Sequence, residues 1–211
     1  MKKFGLLLFA CAISILSGCA VKPYDYTAFN AAKPKSILVI PPTSESTDVS
    51  SSYTFLSTIS RPLAEKGFYV FPVAVVDTFM KENGLPTPDE MNSVPLDKIR
   101  EVTGADAVLY VNIKQWGQKF HLISSNTIVD SDVRLVDTRT GTLLWEAKIQ
   151  AQQGSSDGGG GLAGAIIGAI ADQIASAIVD KTFGLSTQAN VLAIYDKNRG
   201  LPNGPYSKIK N

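Results

Sequence analysis

The sequence predicts an α/β domain built on a mixed sheet of about five strands and covered by helices. Two patterns carry that expectation. Between residues 36 and 104, short apolar runs alternate with stretches of helical spacing, an order that requires crossover connections and parallel strands. From residue 105 the apolar residues recur with period two on either side of a short polar turn, the order of an antiparallel hairpin.

Taken in order, "SILVIPP" gives the first strand: Ile37 to Ile40 form a continuous apolar run halted by Pro41, as in a strand covered on both faces. "SSYTFLSTISRPLAEKG" places Leu56, Ile59 and Leu63 at helical spacing and stops at Gly67, with Pro62 expected to kink the helix or shift its start. "FYVFPV" reads as the next strand. "VVDTFMKENG" and "PLDKIREVTG" read as two short helices, the second with Pro95 near its start and Gly104 at its end. "ADAVLYVNIKQW" and "SNTIVDSDVRLVDTRTGTLLWEAKIQAQ" supply three strands, the last two joined across "DTRTG". Alternation puts Val129, Val133 and Leu135 on one face and Asp130, Asp132 and Arg134 on the other.

The amino terminus carries an address rather than a fold. "MKKFGLLLFACAISILSGC" has a basic start at Lys2 and Lys3, an apolar stretch of about 13 residues, and small residues before Cys19. That stretch is shorter than the roughly 20 residues a spanning helix needs. Leu16, Ser17, Gly18 and Cys19 resemble a bacterial lipobox, which implies removal of residues 1–18 and acylation of Cys19. Cys11 leaves with the signal, so an acylated mature chain holds no free thiol and no disulfide. Two acyl chains of about 14 methylenes, at roughly 0.8 kcal/mol each, make such an anchor effectively permanent. Ala20 and Val21 follow the Cys without the Asp that favours inner-membrane retention in lipoproteins it resembles, which points to the outer membrane and its periplasmic face.

The remaining 193 residues hold 18 basic and 19 acidic side chains, a balance that gives no field for nucleic acid. A chain of that length buries enough surface to fold as one domain, here expected over residues 36–195. Residues 19–35 read as the lipidated Cys and a tether, and residues 196–211, rich in Gly, Pro, Asn and Lys, as a flexible tail.

"GADAVLYVNI" at 104–113 followed by "VRLVDTRTGTLLWEAKI" at 133–149 resembles the sheet core of CsgG, of the amino-terminal domain of TolB, and of the penicillin-binding-protein activator lipoproteins. With the lipobox, the chain resembles a family of Gram-negative lipoproteins of unknown function, often encoded beside a CsgG-like lipoprotein. These motifs are structural: Gly104 and Gly141 serve turns and Asp137 caps the hairpin.

Residues for catalysis are scarce. The single histidine, His121, has no second His or free Cys with which to hold zinc. Ser155 and Ser156 lie in "GSSDGGGG", which lacks both the nucleophile-elbow spacing and the Lys of a phosphate loop. Asp130 and Asp132 share a strand face with Arg134, the arrangement of a solvated charged ladder. The expectation is a non-enzyme with no cofactor and no metal.

"GGGGLAGAIIGAIADQIASAIVDK" is the unusual stretch. A Gly-rich hinge at 154–161 leads into a Gly/Ala-rich helix expected at 162–182, with Gly160, Gly164 and Gly168 at four-residue spacing. Such spacing lets another helix approach closely. Three roles remain open for it: covering the sheet, docking a partner or a second copy, or entering the membrane, the last opposed by Asp172. The function expected is a lipid-anchored assembly component of an envelope export or transport complex, with a CsgG-like lipoprotein or a second copy as partner. The alternative is a regulator of peptidoglycan synthesis.

Overall fold

The computed structural model describes residues 23–121, 124–154 and 181–208. The signal, Cys19, Gly160, Gly164 and Gly168 lie outside them, as does nearly all of the 162–182 stretch.

The elements run α1 (Thr27–Ala32), β1 (Ser36–Val39), β2 (Thr43–Ser44), α2 (Ser51–Glu65), β3 (Tyr69–Val70), α3 (Val73–Glu82), α4 (Pro88–Asn92), α5 (Leu96–Thr103), β4 (Ala107–His121), β5 (Ser124–Asp137), β6 (Leu143–Gly154) and α6 (Lys181–Ile194). The six strands form one sheet in the order β3-β1-β4-β5-β6, with β2 paired to β4 beyond the end of β1. β1 is parallel to β3 and β4, while β4, β5 and β6 are antiparallel, so the mixed sheet expected from sequence is present. Past residue 113 the sheet narrows to a three-stranded ribbon, and a bulge at Lys114 keeps Ile113 and Trp116 on the same buried face.

Each face has its own core. On one side α2 and α6 bring Phe55, Ile59, Leu63, Leu185 and Ala189 against Ile37, Leu109, Leu135, Trp145 and Ile149. On the other, α3, α4 and α5 bring Val76, Met80, Met91 and Ile99 against Leu38, Ile40 and Val108. Each of the larger side chains stabilises the fold by about 1.5–3 kcal/mol relative to exposure. The second group of helices packs over β1, β2 and the near part of β4 and touches the β5–β6 turn through Arg100 and Leu96, while among the described residues Glu146, Lys148 and Gln150 on the same face of β6 stay exposed.

Several expectations need correction. Pro62 does not shift the start of α2: the helix begins at Ser51, and only three residues follow the proline before it ends at Glu65, so the missing N–H falls where the ladder is about to stop. The strand expected at "FYVFPV" is two residues long, because Pro72 ends it and caps α3. α4 was not foreseen, although "TPDE" spells its start: Thr87 Oγ1 accepts from the Glu90 N–H, the Glu90 carboxylate accepts from the Thr87 N–H, and Pro88 opens the helix.

The ends of the domain also differ. Most of the expected tether is structure: α1 lies within it, Phe29 is buried and stacks edge-on against Phe68, and Tyr24 and Tyr26 pack on the core. Much of the expected tail is structure too. Leu201 is 1% exposed, the Trp145 indole N–H donates to Arg199 O, and Tyr26 OH donates to Gly200 O. Gly204 N–H donates to Lys66 O and Tyr206 N–H to Gly67 O. Polar composition misleads here because the segment packs through backbone groups and glycines, which leave little hydrophobic signature. Gly200 and Gly204 sit so close to neighbouring backbone that a Cβ on either would overlap it.

Candidate functional site

The face of β4, β5 and β6 that the described helices leave open is the candidate site. Strand alternation sets it: Val129, Val133 and Leu135 go into the core, as expected, and Asp130, Asp132 and Arg134 point away from it. Across the strands Asp132 stands opposite Asn112 and Lys148, and Arg134 opposite Tyr110 and Glu146. Opposite charges therefore face each other between β5 and β6, and the neutral polar Asn112 and Tyr110 flank them on β4, so neither sign prevails on the surface. Thr43 and Asn92 stand along one side of it, and a depression of about 950 Å³ takes in these residues. Asn92 is fixed by donating to Pro41 O and Pro88 O, and Thr43 by contacts with Val111 O and Asn112. Half-burial raises the Tyr110 phenol above its ordinary range, although nearby Arg134 pulls the other way. The phenol stays protonated at neutral pH and can donate a hydrogen bond.

At the far edge of this face Lys114 donates to Glu45 at 2.9 Å, and Asn112 donates to the same carboxylate. These bonds hold the Glu45 carboxyl below its usual range and the Lys114 ammonium above its own. The loop after β2 is thereby clipped to the strand that floors the depression.

The other residues singled out from sequence serve structure or lie outside the described set. Gly104 and Gly141 take left-handed φ values of 71° and 70°, which suits the turns expected of them. Asp137, 1% exposed at its side chain, caps the β5–β6 turn: its Oδ1 accepts from Arg139 N–H at 2.7 Å and Thr140 N–H at 3.1 Å, and its Oδ2 pairs with the Arg139 guanidinium at 2.6 Å. Burial pushes the Asp137 carboxyl up, but these partners outweigh it and hold it below the usual carboxylate range. His121 ends β4 opposite Ser124, and Ser155 and Ser156 lie outside the described residues. Among the described residues no three His, Cys, Asp or Glu side chains gather as a metal site, and no helix is long and apolar enough to cross a membrane. The chemistry available on the face is hydrogen bonding and ion pairing with a polar partner.

A second feature was missed by the sequence reading. Tyr24 OH accepts from the Glu146 N–H, its ring packs beside that of Tyr26, and the Arg199 guanidinium lies 5.6 Å from its centroid. The first and last described segments are thus clasped together against β6, starting five residues after Cys19. The aromatic spacing in "YDYTAF" was the available signal.

Comparison with known proteins fits this boundary. A family model described as "Putative lipoprotein GNA1162-like" matches residues 24–206, from the clasped Tyr24 to Tyr206. The lipoprotein NMB1124/NMB1162 of Neisseria meningitidis serogroup B is 38% identical over 205 residues, covering 95% of each chain. The crystal structure of lipoprotein GNA1162 from Neisseria meningitidis shares 38% identity with a TM-score of 0.57, spanning 68% of this chain and 100% of that one. LpoB of Escherichia coli is more distant, at 19% identity and a TM-score of 0.42, over 56% of this chain and 57% of its own. The match across the whole described domain and the identity over nearly the whole sequence establish that the chain belongs to the GNA1162-like lipoprotein family.

Proposed function

We propose that the protein is a lipid-anchored, non-catalytic assembly component of the bacterial envelope, held at the periplasmic face of the outer membrane through Cys19. Its leading partner is a CsgG-like lipoprotein of an export or transport complex. One juxtaposition carries this reading: a short covalent link to the anchor and a charged sheet face that the described residues leave open. With the domain starting at Tyr24, the link from Cys19 spans five residue steps, at most about 18 Å. A fixed site close to a membrane, offering donors and acceptors of both signs, suits recognition of a structured partner surface. Family membership supports the lipoprotein part of the reading; the partner is inferred from the resemblance of the two β-segments to CsgG.

The alternative regulator of glycan synthesis needs a longer reach. A lipoprotein that crosses the cell wall from the outer membrane requires an extended tether, and folding of residues 24–35 into the domain shortens the one available here. A second copy is the other partner to consider, docking through the four-residue spacing of Gly160, Gly164 and Gly168. Replacing Gly164 and Gly168 by Leu abolishes dimers if that contact exists, and unchanged mass in light scattering refutes it. The heterologous contact is tested by photo-crosslinking from Lys148 and Gln150, positions on β6 that the fold leaves exposed.

A further inference from the structure

We propose that one pole of the domain lies directly on the phospholipid headgroups, so that the anchor sets an orientation as well as a location. This rests on acylation of Cys19. The pole is the end of the sheet where β1, β3 and β4 begin: Ser36 is in register with Tyr69, and Ile37 with Ala107. Hydrogen bonds bring the rest of it together. Tyr69 N–H donates to Lys35 O, Gly204 N–H to Lys66 O, Tyr206 N–H to Gly67 O, and Arg139 Nη2 to Ala32 O. Tyr24, the first residue of the clasp, sits against the start of β6 at this same end.

The surface it presents combines exposed aromatic and basic groups with two carboxylates, Asp25 and Asp106, the second of which accepts from Lys35 N–H. Tyr69 and Tyr206 are 53% and 64% exposed, rings with an apolar body and a polar tip. Lys33 and Lys35 are exposed and make no ion pair among the described residues. The Lys66 ammonium stands 4.6 Å over the Tyr195 ring, and burial lowers its affinity for a proton; a lipid phosphate facing it would offset that. Lys33 is held at φ 46°, the one described non-glycine residue with positive φ, at the end of α1 where glycine is the usual occupant. The charge of Lys33 thus stands at a turn that glycine would form with less strain.

The link length completes the argument. At most about 18 Å separates Cys19 from Tyr24, whereas α2, running from the far pole to this one, is itself about 22 Å long. The tether brings this pole to the surface and holds the opposite pole, with Val49 at its loop, away from it.

The test uses the full protein as processed and extracted from the cell envelope, reconstituted in phosphatidylethanolamine–phosphatidylglycerol vesicles that contain a headgroup nitroxide lipid. Tyr206→Cys and Val49→Cys, both exposed, each give a single labelling site because the acylated mature chain has no other thiol. The expected result is quenching of a fluorophore at 206 at least threefold stronger than at 49. Adding Lys33→Glu and Lys35→Glu to the Tyr206→Cys chain should bring its quenching down toward the level at 49. Equal quenching at the two sites in vesicles that carry the protein on flotation overturns the docking proposal alone. Failure to float overturns the acylation reading on which it rests.

Discussion

Replacing Leu201 by Ala tests whether the segment after α6 belongs to the fold. Leu201 is 1% exposed within the larger core, and its N–H donates to Ile194 O. Truncating a fully buried Leu removes three carbons' worth of transfer free energy and leaves a cavity, for a cost of about 2–4 kcal/mol. For a domain of this size each kcal/mol lowers Tm by roughly 2–4 °C, so the expected drop is about 5–15 °C by circular dichroism or calorimetry. Gly204→Ala should act through a different cause. Its Cβ would meet Gly67 C and the Phe68 ring at 2.7 and 2.8 Å, and the backbone contact cannot yield without separating the two segments. Lys208→Ala, on an exposed residue, should change stability by less than about 0.5 kcal/mol. If Leu201→Ala and Gly204→Ala both leave Tm within 2 °C of the parent, the segment is a tail after all and the packing argument is wrong.

Asp137→Asn should destabilise by about 1–3 kcal/mol at neutral pH, since it discharges the partner of Arg139 and weakens the acceptors for two N–H groups. Because the folded carboxyl is held below its unfolded value, its contribution is complete above that value and fades as pH falls through the folded one. Denaturation midpoints for parent and variant should differ equally between pH 5 and 8 and converge below about pH 4; a constant gap down to pH 2 contradicts this. Lys33→Gly should stabilise by up to about 1 kcal/mol by relieving the left-handed lysine, measured in urea, and a loss of stability speaks against strain there. Thr87→Ala should cost about 1 kcal/mol through the lost cap of α4. Asp130→Asn with Asp132→Asn should leave stability within about 0.5 kcal/mol, as solvated strand positions allow, and a hydrolytic activity lost with these two changes would overturn the non-catalytic reading.

The strands were legible because their burial is written in period. Ile37 to Ile40 and the alternation from Val129 to Leu135 each have one dominant cause, and the structure places those side chains as the pattern requires. α2 was legible for the same reason, through Leu56, Ile59 and Leu63. What escaped was built from few apolar residues held by long-range backbone bonds. α1 contributes one buried ring, Phe29, and residues 196–206 contribute Leu201 and a set of carbonyls, and neither leaves a repeating signal. α6 escaped because Leu185 and Ala189 follow a more strongly patterned Gly/Ala stretch that drew the helix expectation to 162–182. At the candidate site, Asp130, Asp132 and Arg134 were correctly put on one face. Their partners Tyr110, Asn112, Glu146 and Lys148 depend on register between strands, which a single strand's pattern does not specify.

In the proposed function the charged sheet face meets a structured envelope partner while Cys19 holds the domain at the membrane. This function is tested most directly by photo-crosslinking in intact cells from Lys148 and Gln150, beside a Cys19→Ser chain, with products identified by mass spectrometry. A specific adduct with a CsgG-like lipoprotein is expected from both positions, lost when Cys19 is replaced. An adduct with a glycan synthase would put the regulatory alternative in its place, and adducts unchanged by Cys19→Ser, or none from either position, would contradict the proposal.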